Sequence, residues 1–210
     1  MQPLKRVVAF GCEAGLRSML RLDPHRVTLL TSRLSPAHAP LGDPTAHVLV
    51  IAEVSGDKLE IRVAEAISCA RHIGGEVEVV LLSTRSPGLA AVASQIEGVA
   101  RVLEIEATED PADLAWRIGG LVRSRAASHV LVTASAYGKA LMACLGGLLG
   151  VPVISDVMQV LSSSLFVRPR ACRAIVTVEA TQRPVLATVR LGAFDARPLP
   201  NLPHWRTRVP

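Results

Sequence analysis

Aromatic side chains are scarce in this chain. Its 210 residues include two Trp, one Tyr and three Phe, or 3%, although half are hydrophobic. The core must therefore be built from Val, Leu, Ile and Ala, and an aromatic cage or an aromatic-studded nucleic-acid face is excluded. Cysteine is equally thin. Cys12, Cys69, Cys144 and Cys172 stand far apart, with no CxxC and no Cys/His pair at metal spacing. That pattern suits free thiols in a reducing compartment, and neither a disulfide framework nor a metal site. Long apolar runs are missing too. The longest charge-free stretch, Ala140–Ser155, contains Gly146, Gly147 and Pro152 and falls short of the roughly 20 residues a membrane helix needs. It reads as a buried helix, with no membrane insertion.

The net charge of +5 is confined to the ends. Residues 1–45 carry six Lys/Arg against three Asp/Glu, and residues 196–210 carry three Arg and no acid. Residues 46–195 hold 14 basic and 15 acidic side chains. No nucleic-acid partner is implied.

The usual catalytic signatures are absent as well. Gly138-Lys139 supplies only the last Gly-Lys of a phosphate loop, because Thr133 stands where its first Gly belongs and Ala140 where its Ser/Thr belongs. No strand is followed by GxGxxG. Ser135 lies in Ala-Ser-Ala, not in a nucleophile elbow. His25, His38, His47, His72, His129 and His204 show no ligand spacing. Glu109-Asp110 precedes a helix, where acids ordinarily suit the dipole. Neither a catalytic residue nor a metal ligand is assigned.

What is present is an alternation of strands and helices. Val48–Val54 (VLVIAEV) is a nearly continuous apolar run closed by Ser55-Gly56-Asp57. Leu59, Val63, Ala66, Ile67 and Ala70 recur at helical spacing to Ile73, and Gly74-Gly75 ends that helix. Glu76–Ser83 predicts a second strand, and Ser86-Pro87 predicts a helix start. Arg101–Glu106 predicts a third strand, and Asp110-Pro111 a helix ending near Ala126. Val130–Thr133 predicts a fourth strand. A helix follows from Tyr137 with Ser135 as its cap, stopped by Gly150 and Pro152. Beyond Asp156, the segments Val157–Leu161, Leu165–Arg170, Ala174–Glu179 and Val185–Leu191 are strand-like and separated by short turns. The fold class is α/β: a three-layer parallel sheet flanked by helices, with antiparallel strands added at the C-terminal edge.

Three regions are expected. Residues 1–45 read as an extension, with Leu16, Met19 and Leu20 on one helical face, Arg17 and Arg21 on another, and a Pro-rich spacer behind. This is the pattern of a mitochondrial transit peptide, with an unstructured extension as the alternative. Residues 46–196 form the folded domain, and residues 197–210 a Pro/Arg-rich tail.

In an α/β protein the turns after the strands are where binding groups gather. The polar residues there are Ser135, Tyr137, Gly138 and Lys139 after the fourth strand, and Ser155-Asp156 after the next helix. Lys139 in the first turn of its helix opposes the dipole, so an anionic partner is expected for it.

These segments, in this order, resemble the N-terminal domain of the electron transfer flavoprotein alpha subunit. The resemblance rests on Val48–Glu53, Ala134-Ser135-Ala136-Tyr137-Gly138-Lys139, Ser155-Asp156-Val157, Phe166-Val167-Arg168-Pro169, and Val189-Arg190 with Ala193-Phe194-Asp195-Ala196. It implies an electron carrier, not a catalyst, paired with a beta subunit. Such a carrier takes electrons from acyl-CoA dehydrogenases of fatty acid β-oxidation and passes them to a membrane quinone reductase. Its location is the mitochondrial matrix in a eukaryote and the cytoplasm otherwise. The family holds FAD chiefly in a second, C-terminal domain, so tight FAD binding by this chain alone is not expected. AMP belongs to the partner subunit. By the same resemblance Ser135, Tyr137, Gly138, Lys139, Ser155, Asp156 and Arg168 are nucleotide or partner contacts. The sequence departs from the family where Ala140, Ala143 and Cys144 replace a polar residue and a Pro-Arg pair, and where Arg170–Ala174 replaces Tyr-Ala-Gly-Asn-Ala. The resulting expectation is a partner-binding scaffold. The alternatives are a stand-alone adenine-nucleotide-binding module and a non-productive truncated isoform.

Overall fold

A computed structural model of the chain describes residues 7–10, 42–55, 58–83, 88–106, 108, 110–170 and 174–196. The elements begin with β1 (Val7–Phe10), β2 (His47–Ala52), β3 (Val54–Ser55), β4 (Lys58–Leu59), α1 (Ile61–Ile73) and β5 (Glu76–Ser83). They continue through α2 (Leu89–Ser94), β6 (Arg101–Glu106), α3 (Pro111–Ser124), β7 (His129–Thr133) and α4 (Ala136–Leu149). The last are β8 (Val153–Val157), β9 (Gln159–Ser162), β10 (Leu165–Pro169), β11 (Ile175–Glu179) and β12 (Val185–Val189).

Six strands form one sheet in the order β6-β5-β2-β7-β12-β8, and every neighbouring pair is parallel. The central strand β2 shows why. Val48, Leu49, Val50, Ile51 and Ala52 are all at most 1% exposed, as expected of a strand covered on both faces. Alternate residues serve two cores: Val48, Val50 and Ala52 pack with α1 and α2, and Leu49 and Ile51 with α3 and α4. The sheet is thus the middle of three layers, as its apolar runs predict.

The α/β class holds, but the C-terminal strands attach differently from the expected edge additions. β9, β10 and β11 leave the main sheet and form a second, antiparallel one, in the order β1-β11-β10-β9. Phe166, Val176 and Val178 from this sheet enter the same core as α1. β12 then returns to the main sheet, parallel to both β7 and β8 and between them. Its five residues are all buried, which an edge position would not give. Two local expectations also shift. Leu59 pairs with Val54 in the short β3–β4 ribbon, so α1 starts only at Ile61. Gly88 precedes the first residue of α2, while Ser86-Pro87 lies outside the described residues. Of the expected extension 1–45, residues 7–10 and 42–45 are described: the backbone of Val7–Phe10 pairs with β11, and the Asp43 N–H donates to the Ile73 carbonyl at the end of α1. The transit-peptide reading and the 197–210 tail otherwise fall outside the described residues.

Helix ends follow their caps. Asp110 accepts a hydrogen bond from the Ala112 N–H at 2.9 Å ahead of Pro111, and Gly150 closes α4 at φ 68°.

Candidate functional site

β2, β7 and β8 bring their C-terminal ends to one side of the sheet, where the turn into α4 meets the turn out of β2. Here the apolar strands give way to polar side chains. Glu53, the residue just after β2, stands at the centre. Its Oε1 accepts the Ser135 hydroxyl at 2.6 Å and the Thr133 hydroxyl at 3.0 Å. Ser135 Oγ in turn accepts the Gly138 N–H at 2.8 Å, capping α4. Both the proton and a lone pair of Ser135 are therefore committed. A Cβ on Gly138 would run into the Thr133 carbonyl oxygen and lie 3.1 Å from Glu53 Oε1. The absence of a side chain there is what lets the carboxylate sit against the head of the helix.

Lys139 and Asp156 form the second half of the cluster, with Nζ 3.1 Å from Oδ1. The anionic partner expected for Lys139 is thus supplied by the chain itself. Asp156 is held in an unusual backbone state. β8 presents Ser155 and Asp156 against the single Thr188 of β12, so the ladder slips by one residue. Asp156 absorbs the slip at φ 57°, a left-handed conformation that aspartate tolerates better than most residues. Its N–H donates to Thr188 Oγ1 at 2.9 Å, which replaces the bond the bulge removes.

The remaining residues singled out from sequence behave differently. The Tyr137 hydroxyl donates to the Thr108 carbonyl at 2.9 Å. Burial raises its pKa, helped by the charges of Glu53 and Asp110. Ser155 is half-buried in β8 beside Asp156. Arg168 belongs to β10 in the other sheet and faces a different cleft. The structure therefore gathers Ser135, Gly138, Lys139 and Asp156, and adds Glu53, Thr133 and Thr188. Glu53 carried one usable signal in the sequence: it is the first charge after a fully apolar central strand, at the end where binding groups gather. Its partners, 80 and 82 residues away, carried none.

At the opposite ends of the strands the buried polar groups gather charges around them, although His47 Nε2 and Glu78 Oε2 make no hydrogen bond among the described residues. Glu78, fully buried, meets His47 Nε2 at 3.3 Å, Arg101 Nη1 at 3.3 Å and Arg125 Nη1 at 3.5 Å. His129, also fully buried, has Nε2 at 2.7 Å from the Ser163 carbonyl and Nδ1 at 2.8 Å from Ser128 Oγ. Burial lowers its pKa to about 4 and the Arg183 charge adds to the effect, while the bond to Ser163 opposes it. These groups tie the second sheet and the strand starts together.

The described residues contain no cluster of three or more His, Cys, Asp or Glu able to hold a metal, and no helix long and apolar enough to cross a membrane. Nor does the crevice around Glu53 fit a nucleotide pyrophosphate. Its helix head already faces a carboxylate, its lysine is paired, and a phosphate there would meet the charge of Glu53.

Comparison with known proteins agrees with the sequence resemblance. The family model described as "Electron transfer flavoprotein domain" matches residues 48–203. The chain is similar to the electron transfer flavoprotein subunit alpha of Pseudomonas aeruginosa, 33% identical over 154 residues, covering 71% of this chain and 49% of that protein. It is similar to the subunit of the same name from Paracoccus denitrificans, 31% identical over 153 residues (71% and 49%). It is also similar to the mitochondrial electron transfer flavoprotein subunit alpha of Dictyostelium discoideum, 29% identical over 161 residues (71% and 45%). The chain spans about half the length of these curated relatives.

Proposed function

Because this chain belongs to the electron transfer flavoprotein family and is alpha-subunit-like, we propose that it works by protein contact, as the alpha-side scaffold of a two-subunit electron carrier. The single observation that carries this reading is the family match across residues 48–203. The state of the crevice supports it. Glu53 occupies the head of α4 and Asp156 neutralises Lys139, so the residues matched to the family are arranged to hold a shape, not to take up an anion.

On this reading the partner is a beta-type subunit. The flavin of the assembled carrier is FAD, held outside the Glu53 crevice, and any AMP sits in the beta-type partner. The electrons come from acyl-CoA dehydrogenases and leave towards a membrane quinone reductase. The chain itself is a carrier component and catalyses no bond change. The mitochondrial name of the Dictyostelium relative supports a matrix location if the source is eukaryotic.

Co-expression with the beta-type subunit of the same source tests the proposal. A stable one-to-one complex on size exclusion, which lowers the amount of free chain, is the expected result. Calorimetry of the 210-residue chain with AMP and ATP is the counter-test. Saturable micromolar binding that disappears in Lys139→Ala would overturn the scaffold reading in favour of a nucleotide-binding module.

A further inference from the structure

A second cleft lies between the two sheets, near the first residues of β8 and β12. Its volume is about 60 Å³, room for about four or five non-hydrogen atoms. Its walls are mainly apolar, with Val153 and Ile154 of β8, Val178 of β11, Ala180 just after it and Val185 of β12, while the exposed Thr181 and Gln182 stand at its rim. One cation enters it. Arg168 alternates with the buried Phe166 on β10, so both point from the second sheet towards the first. Its Nε is buried and has no hydrogen-bond partner among the described residues, and no described carboxylate forms an ion pair with it or lines the cleft.

An arginine remains charged at any ordinary pH, and a buried N–H without an acceptor is costly. The Nε–H and a neighbouring Nη–H form the fork that matches the two oxygens of a carboxylate. Beside that fork the structure offers a small space walled mainly by aliphatic side chains, too narrow for a nucleotide. We propose that the Arg168 cleft binds a short-chain monocarboxylate of two or three carbons. The carboxylate sits on the guanidinium fork and the alkyl end against Val153, Val178 and Val185. The site is separate from the Glu53 crevice and does not rest on the proposed subunit role.

The test is an NMR titration of the 210-residue chain, following the Arg168 Nε–H and the backbone amides of Val153, Val178 and Val185. Acetate and propionate are the probes, with sodium chloride at matched ionic strength. Saturable shifts with a dissociation constant on the order of a millimolar are expected, as suits so small a ligand. Propionate should bind about fourfold tighter, since one further methylene is buried. Arg168→Met should abolish the shifts. Arg168→Lys should weaken binding at least about tenfold, because a point charge lacks the fork. Ala180→Leu keeps the guanidinium and fills the cleft, so it must abolish binding too, and it decides the matter should Arg168→Met misfold. Equal shifts with chloride, a linear response well beyond the millimolar range, or binding that survives Ala180→Leu would each overturn the proposal.

Discussion

Glu53 should be a stabilising keystone of the domain and not a spare surface acid. It accepts two hydroxyl hydrogen bonds, at 2.6 and 3.0 Å, from residues 80 or more positions away. A bond to a charged acceptor contributes about 1.5–3 kcal/mol. The crevice is half-buried, so the lower end applies, and Glu53→Ala should cost about 2–3 kcal/mol. In a domain of this size that corresponds to a fall of roughly 5–10 °C in Tm. Glu53→Gln keeps a side-chain carbonyl in place and should cost about 1 kcal/mol. Urea titration followed by circular dichroism measures both. The sharper assay is a double-mutant cycle with Ser135→Ala. Ser135 loses its cap in that variant, worth about 1 kcal/mol, and also its bond to Glu53. The pair should therefore show a coupling of about 1–2 kcal/mol. Strict additivity, or a Glu53→Ala protein within about 0.5 kcal/mol of the parent, would refute the assignment of Glu53 as the organiser of this crevice.

Two further outcomes follow from contacts in the crevice and at the opposite ends of the strands. Gly138→Ala should destabilise by about 2 kcal/mol or more despite the better helix propensity of alanine, because its Cβ would meet the Thr133 carbonyl oxygen and Glu53; a denaturant midpoint equal to the parent's would contradict that contact. His129 makes stability depend on pH in a definite direction. Its folded pKa of about 4 lies below the unfolded value of roughly 6.5. The unfolded chain therefore binds the proton first, and stability present above about pH 6.5 is lost as pH falls towards 4, by up to about 3 kcal/mol. Urea midpoints at pH 7.5 and 5 should differ in the parent, and the difference should shrink in His129→Gln.

Much of the fold could be read in the sequence because its signals are local. The composition of Glu76–Ser83 and Arg101–Glu106 delimits them as strands, and they coincide with β5 and β6. Asp110-Pro111, Ser135 and Gly150 cap the helices they were expected to cap. The attachment of the last strands could not be read in this way. Val185–Val189 is apolar but for Thr188, and such a run suits a buried parallel strand as well as the middle of a hairpin. Only its pairing partners, His129–Thr133 and Val153–Val157, decide between them. Leu59 fits the spacing of α1 but is claimed by its cross-strand partner Val54. The crevice was half legible. Ser135, Lys139 and Asp156 were found by position, while the role of Glu53 depends on contacts that no local pattern encodes. The position of Lys139 calls for an anionic partner, and the bulge that delivers Asp156 to it arises from the register against Thr188.

The insertion of β12 between β7 and β8 has a consequence for synthesis. As the chain leaves the ribosome, β7 and β8 emerge well before the strand that separates them. Until Val189 has cleared the exit tunnel, β7 offers an open edge with Val130, Leu131 and Val132 at its centre, and β8 has no neighbour on the side β12 will occupy. The two could pair wrongly with each other or with another nascent chain. Within the second sheet, β9, β10 and β11 pair through local hairpins that are quick to form. The main sheet then closes last, from its interior. A released chain truncated before residue 185 should therefore be far more prone to aggregate than one that extends past residue 196.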